Sequence, residues 1–91
     1  MLGNKIKTLR LSKGIVQRQV AAMLDLDSAY ISKIEKESKP VSRSYISKLA
    51  ELFEVSPKEL EVMWLADRIL EILAEEPHAK EALAIVQEKL A

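Results

Sequence analysis

Apolar residues recur every three or four positions along most of the chain, and this spacing strongly constrains the fold. Leu2, Ile6 and Leu9 begin the pattern, and Ile46, Leu49, Ala50 and Phe53 continue it. Such spacing lines one face of an α-helix, whereas a half-buried strand needs strict alternation. No useful alternation occurs, and only 2 Gly and 3 Pro interrupt the 91 residues. The pattern therefore predicts an all-α fold.

Helix start and stop signals divide the chain into six predicted helices. Gly14 is a plausible end for the first, Asp27 can cap the third by accepting backbone N–H bonds, and Ser42 can cap the fourth. The segment SPKE, residues 56–59, is a capping box with proline at the first helical position, and it begins the fifth. The other predicted bounds are 17–24 for the second helix, 28–36 for the third, 57–75 for the fifth and 77–90 for the sixth.

Charge is divided unevenly along the chain, although the formal net charge is zero. Residues 1–50 hold ten Lys/Arg against four Asp/Glu, a balance of +6, and residues 51–91 hold four against ten, a balance of −6. A basic half indicates contact with a polyanion such as nucleic acid. The acidic half either stays away from that polyanion or is simply a solvated helix surface.

Several classes of protein lack support in the sequence. There is no cysteine, and His78 is the single histidine, so no metal-ligand cluster is expected. No apolar run approaches the roughly 18 residues of a membrane span. Neither a nucleophile–base pair nor a phosphate-binding loop is present. We therefore expect no enzyme, no cofactor and no membrane partner.

The second and third predicted helices are short and are joined by a three-residue turn, Asp25 to Asp27. This arrangement is typical of a helix-turn-helix, in which the second of the two helices lies in the major groove of DNA. Spacing alone leaves open an ordinary helix pair of a protein that does not bind DNA.

Four segments make the interpretation more specific: IKTLR at 6–10, Q..VA..L at 17–24, YISKIE at 30–35 and ISKLAELFEVSPKEL at 46–60. With these motifs in this order, residues 2–59 resemble the Cro/CI-type (XRE-like) helix-turn-helix family. The resemblance implies a five-helix lambda-repressor-like domain and a cytoplasmic DNA-binding regulator of bacterial or phage type, associated with the nucleoid. The chain is also similar to controller proteins of restriction–modification systems.

The resemblance implies an ion pair between Arg10, late in the first helix, and Glu35, at the end of the third helix. Pairing would neutralise a carboxylate that otherwise faces phosphate, and it would tie the two helices together. The alternative is two unpaired surface charges.

The resemblance also assigns residues to DNA. Base contacts would come from Ser28, Ala29, Ser32 and Lys33, of which only Lys33 is a strong donor to guanine. Backbone contacts would come from Gln17, Arg18, Tyr30, Lys36, Lys39 and Arg43. For each of these lysines the alternative is a solvated charge that contacts no phosphate. The alternative for Tyr30 is a ring that covers the corner between the third and fourth helices. With few base contacts, DNA shape should supply much of the specificity.

The chain departs from the family pattern at two turns. Asp25 stands where the family has a turn glycine, and it tolerates a left-handed backbone less easily than glycine does. Glu37 replaces the glycine that usually follows the third helix. We therefore expect the third helix to continue slightly further.

The fifth helix is apolar over more than half of its circumference, which requires packing on two sides. One side can meet its own domain, and the other can meet a partner. The predicted dimer interface comprises Trp64, Leu65, Ile69, Ile72, Leu73, Leu83 and Val86, although Trp64 could instead stack under Arg68. Residues 1–60 would form the DNA-binding domain, and residues 61–91 a C-terminal helical hairpin for dimerisation or partner binding.

Together these features predict a sequence-specific regulator that binds double-stranded DNA. We expect a homodimer on an operator with two half-sites, acting as a repressor or autoregulator. Two alternatives remain: an antitoxin whose acidic C-terminal helices hold a second protein, and a protein-interaction module that has lost DNA binding.

Overall fold

The computed structural model describes residues 1–91 and contains no strand, which confirms the all-α prediction. A short 3-10 helix, Arg43–Tyr45, precedes the fourth of six α-helices. No helix has both the length and the apolarity that crossing a bilayer requires. The α-helices are α1 (Leu2–Ser12), α2 (Gln17–Leu24), α3 (Ser28–Glu35), α4 (Ile46–Phe53), α5 (Pro57–Leu73) and α6 (Ala79–Leu90).

The turn between α2 and α3 forms as the sequence predicts. Asp25 takes a left-handed backbone conformation, with φ 58° and ψ 44°, and so replaces a turn glycine. The backbone N–H of Tyr30 donates to Oδ1 of Asp27 at 2.8 Å, which confirms Asp27 as the cap of α3. The turn therefore fixes where α3 begins.

The expected extension of α3 is wrong, because the helix ends at Glu35. Glu37 adopts a φ of 63°, the left-handed conformation in which glycine usually ends a helix. Its N–H donates to the carbonyl of Ile34 at 3.0 Å, and the N–H of Ser38 donates to the carbonyl of Lys33 at 3.0 Å. These bonds end the helix sharply despite the conformational cost of a non-glycine residue.

Two predicted caps form differently. Oγ of Ser56 accepts from the N–H of Lys58 at 3.2 Å, but the carboxylate of Glu59 pairs with Lys5 at 3.2 Å, so the reciprocal half of the capping box is absent. Ser42 precedes the 3-10 helix without capping it, and its hydroxyl bonds to that of Ser44 at 2.9 Å. The start of α4 is consequently set by the 3-10 turn.

The hydrophobic core lies among α1 to α4 and the first turn of α5. Phe53 and Leu60 are fully buried, and Trp64 and Met63 pack against the same cluster from one turn further along α5. Because α5 runs unbroken through residue 60, residues 61–73 extend the domain without a linker. The core residues are Leu2, Ile6, Val20, Ala21, Leu24, Ile31, Ile34, Val41, Ile46, Leu49, Ala50, Phe53 and Leu60.

The two predicted C-terminal helices, α5 and α6, both form. No residue of α6 is buried, and α6 has no substantial packing against any other helix. The molecule is accordingly elongated, 42 Å along its longest axis. A 12-residue helix with little tertiary packing is marginal in water, and Ile85, Val86 and Leu90 on α6 are exposed.

A glycine brings α1 close to the end of α3. A Cβ built on Gly3 would lie 2.1 Å from the carbonyl oxygen of Ile34, which is backbone and cannot swing aside. Only glycine therefore permits this approach, which sets the distance between the two helices.

Replacing Gly3 with alanine should destabilise the fold by about 1–3 kcal/mol, because α1 must move away from α3. Urea denaturation measures the change, and Asn4→Ala, at the neighbouring exposed position, is the matched control. A Gly3→Ala protein as stable as the Asn4→Ala protein would contradict this close approach.

Candidate nucleic-acid interface

Arg10 and Glu35 form a buried ion pair between α1 and α3. Nε of Arg10 donates to Oε2 of Glu35 at 2.7 Å, and Nη2 donates to Oε1 at 3.0 Å. The side chains are 10% and 2% exposed, respectively. This two-point contact is the strong form of a carboxylate–guanidinium pair, and it fixes the orientation of α3 against α1.

Neighbouring groups complete the hydrogen bonding of this pair. Nη1 of Arg10 donates to the carbonyl of Ile15 at 3.0 Å, and Nε2 of Gln17 donates to Oε1 of Glu35 at 3.1 Å. The hydrogen bond to Glu35 raises the pKa of Arg10 above its ordinary value, against the opposing effect of burial. The charge of Glu35 is thus neutralised inside the protein, and α3 presents no carboxylate from this residue to its surroundings.

The four predicted base-contact residues lie on α3 with their polar groups uncommitted. Ser28, Ala29 and Lys33 are exposed, and Ser32 is half-buried. No carboxylate pairs with the ammonium group of Lys33. The hydroxyl of Ser38 donates to the backbone carbonyl of Lys33 at 3.2 Å and leaves the ammonium group free. This surface therefore has one free cation among small side chains.

The predicted phosphate-contact residues divide into free and engaged groups. Arg18, Lys36 and Lys39 are exposed and form no ion pair. The amide of Gln17 is already bonded to Glu35, so it braces α3 in the free protein. Tyr30 is half-buried and packs against the hydrophobic core.

Arg43 is engaged by a residue that sequence reasoning missed. Its Nε and Nη2 both donate to Oε1 of Glu61, at 3.0 and 2.6 Å, and its Cζ lies 5.0 Å from the centroid of Trp64. The partners are far apart in the chain, so helical spacing gave no signal for this cluster.

Trp64 is anchored within its own chain. Its indole N–H donates to the carbonyl of Val41 at 2.8 Å, and Cζ of Arg68 lies 5.4 Å from the ring centroid, the stacking that the sequence allowed. Because Val41 belongs to the connector that leaves α3, Trp64 ties α5 to this connector. A second link from α5 that the sequence did not reveal is Asp67, whose Oδ2 accepts from the N–H of Leu2 at 2.8 Å.

The other predicted interface residues lie on the two C-terminal helices, α5 and α6. Leu65 and Ile69 on α5 are each 45% exposed, and Ile72 is 72% exposed. Val86 on α6 is exposed as well, while Leu73 and Leu83 are half-buried. We call the six residues Leu65, Ile69, Ile72, Leu73, Leu83 and Val86 the C-terminal apolar surface.

Comparison with known proteins agrees with this geometry. A family model described as "Helix-turn-helix" matches residues 6–60, from the middle of α1 to the first turn of α5. The chain is 38% identical over 61 residues to the control protein C.BamHI of Bacillus amyloliquefaciens, a match that covers 66% of this chain and 75% of that protein. No solved structure gives a significant match.

Proposed function

The chain belongs to the Cro/CI-type (XRE-like) helix-turn-helix family of DNA-binding transcriptional regulators, and from this premise we propose that it binds a two-half-site operator as a homodimer. The observation that supports specific DNA binding best is the buried Arg10–Glu35 pair. It holds α3 rigidly against α1 and removes a negative charge from the helix that would enter the major groove.

We propose that base contacts come from Lys33, with Ser28, Ala29 and Ser32 beside it on α3. Lys33 can donate to O6 and N7 of guanine, and the methyl group of Ala29 can contact thymine. Arg18, Lys36 and Lys39 would bind backbone phosphates, because all three are exposed cations without a carboxylate partner. Gln17, Tyr30 and Arg43 would contribute to the same backbone contacts from the edge of this surface.

The proposed homodimer rests on the C-terminal apolar surface. Ile69 and Ile72 expose large side chains on α5, and α6 lacks the tertiary packing that would stabilise it in a single chain. A second copy would cover both features. In this arrangement residues 1–60 would bind DNA and residues 61–91 would join the two copies. Trp64 would hold α5 against the DNA-binding domain of its own chain.

A repressor or autoregulator is the proposed role. The support is the likeness to a protein named as a control protein. Selection from random duplexes tests the DNA-binding proposal: enriched sites should contain two-fold related half-sites with centres about 34 Å apart, or a multiple of that distance. Failure to enrich any sequence would favour a protein-interaction module.

The exposed apolar residues of α6 also support the antitoxin alternative, in which these helices hold a second protein. The two proposals differ in what purified protein does alone. A monomer that forms a stable complex only with the product of a neighbouring gene would favour the antitoxin.

Replacing Lys33 with alanine should remove about 1–3 kcal/mol of discrimination between the selected site and random DNA, because the main donor to base edges is lost. Fluorescence anisotropy with both duplexes measures this difference. Lys48→Ala, an exposed lysine on α4, is the control, and it should preserve the ratio of the two affinities. Equal losses on both duplexes for Lys33→Ala would exclude a base contact.

A further inference from the structure

Among the arginines and lysines proposed to contact phosphate, Arg43 alone has a carboxylate partner. Glu61, from α5, accepts hydrogen bonds from Nε and Nη2 of Arg43 through a single oxygen. These two donors form one edge of the guanidinium fork, and that edge fits phosphate as well as carboxylate. In the free protein, therefore, a carboxylate holds the place that a DNA phosphate would take.

Trp64 keeps the guanidinium group in place without using its donors. Cζ of Arg43 lies 5.0 Å from the ring centroid, close enough for a cation–π contact. That contact needs only proximity to the ring, and Nη1 forms no hydrogen bond within the chain. The guanidinium group can consequently exchange a carboxylate for a phosphate while it stays beside Trp64.

We propose that Glu61 competes with DNA phosphate for Arg43 and so sets the affinity of the protein for DNA. Glu61 occupies the Nε and Nη2 donors in the free protein and releases them to a backbone phosphate in the complex. The proposal deepens the proposed function and rests on it, since it assigns Arg43 to DNA.

The exposure of the pair makes this exchange feasible. The side chains of Arg43 and Glu61 are 57% and 41% exposed, so water and salt weaken their attraction. Breaking such an exposed pair lowers a binding constant by about 1.4- to fivefold. A dimer on two half-sites breaks one Arg43–Glu61 pair in each domain, so its binding constant should change by about the square of that factor.

A positioning role for Glu61 predicts the opposite result. If Glu61 served to orient Arg43 toward phosphate, its removal would weaken DNA binding. If Glu61 competes, its removal strengthens binding. The sign of the change therefore separates the two roles.

The test measures DNA affinity by fluorescence anisotropy for the wild-type protein, Glu61→Gln and Glu71→Gln. Glu71 is an exposed carboxylate on the same helix without an ion pair, so Glu71→Gln controls for the loss of one negative charge. Glu61→Gln should bind a single half-site about 1.4- to fivefold more tightly than Glu71→Gln. The same factor is expected on random DNA, because phosphate contacts do not depend on sequence.

A second pair of variants assigns the effect to Arg43. With Arg43→Ala in both proteins, the difference between Glu61→Gln and Glu71→Gln should disappear. Affinity of Glu61→Gln equal to or below that of Glu71→Gln would overturn the competition, as would a difference that persists without Arg43. If instead the wild-type protein shows no salt-sensitive DNA binding, the proposed function fails before any variant is compared, and the inference fails with it.

Discussion

Replacing Arg10 with alanine is expected to lower the free energy of unfolding by about 3–5 kcal/mol, because it leaves a buried carboxylate without its cation. The carboxylate of Glu35 is 2% exposed and would retain only the hydrogen bond from Gln17. A loss of this size is a large part of the stability of a small domain, which is about 5–15 kcal/mol. Urea denaturation followed by circular dichroism measures it.

The matched control is Lys13→Ala, which removes another ion pair from the region of α1. Nζ of Lys13 lies 3.2 Å from Glu54 on the exposed surface, so its loss should cost about 1 kcal/mol or less. The double replacement Arg10→Met with Glu35→Leu should recover much of the stability, since no unpaired charge remains. If Arg10→Ala and Lys13→Ala lowered the free energy of unfolding equally, the Arg10–Glu35 pair would not stabilise α3 as a buried ion pair.

Replacing Ile72 with aspartate is expected to convert the protein to a monomer and to weaken binding to the two-half-site operator by about 10²–10⁴-fold. Ile72 is 72% exposed in the single chain, so a charge there costs little in the monomer. In a dimer the carboxylate would be buried among apolar side chains without a partner. Sedimentation equilibrium gives the mass, and anisotropy gives the affinity.

Leu11→Asp tests whether the effect belongs to the C-terminal apolar surface. Leu11 lies on α1 and is 59% exposed, so the chemical change and the exposure are similar. We expect this control to keep the wild-type mass and operator affinity. An Ile72→Asp protein that remains dimeric would remove Ile72 from the interface. A wild-type protein that is monomeric would instead assign the C-terminal apolar surface to a different partner.

Features determined by local chemistry were predicted well from the sequence. Asp27 follows a turn and precedes an apolar repeat, so its side chain had backbone N–H groups to cap. The order of motifs over residues 6–60 identified the family, and the family placed Arg10 beside Glu35. Helix content and the Arg10–Glu35 pair therefore followed from local patterns and family resemblance.

Features that depend on distant segments did not follow from the sequence. The bond from Arg43 to Glu61 and the close approach of Gly3 to Ile34 need the relative positions of two helices, which periodicity does not contain. Glu37 was expected to lengthen α3, yet backbone hydrogen bonds hold it in the left-handed conformation. Residues 61–91 were predicted to form a helical hairpin for dimerisation or partner binding, and apolar spacing shows that a face of α6 needs cover without showing which surface covers it.

Salt-dependent binding to double-stranded DNA tests the central claim most directly. The affinity of the wild-type protein would be measured on the selected operator and on random duplexes between about 50 and 200 mM salt. Arg18, Lys36, Lys39 and Arg43 are the four proposed phosphate contacts in each domain, so a dimer should give a slope of log K against log salt of about −7. A steep linear slope on both duplexes, with tighter binding to the operator, is the result that we predict. A slope near zero would contradict DNA binding by this protein.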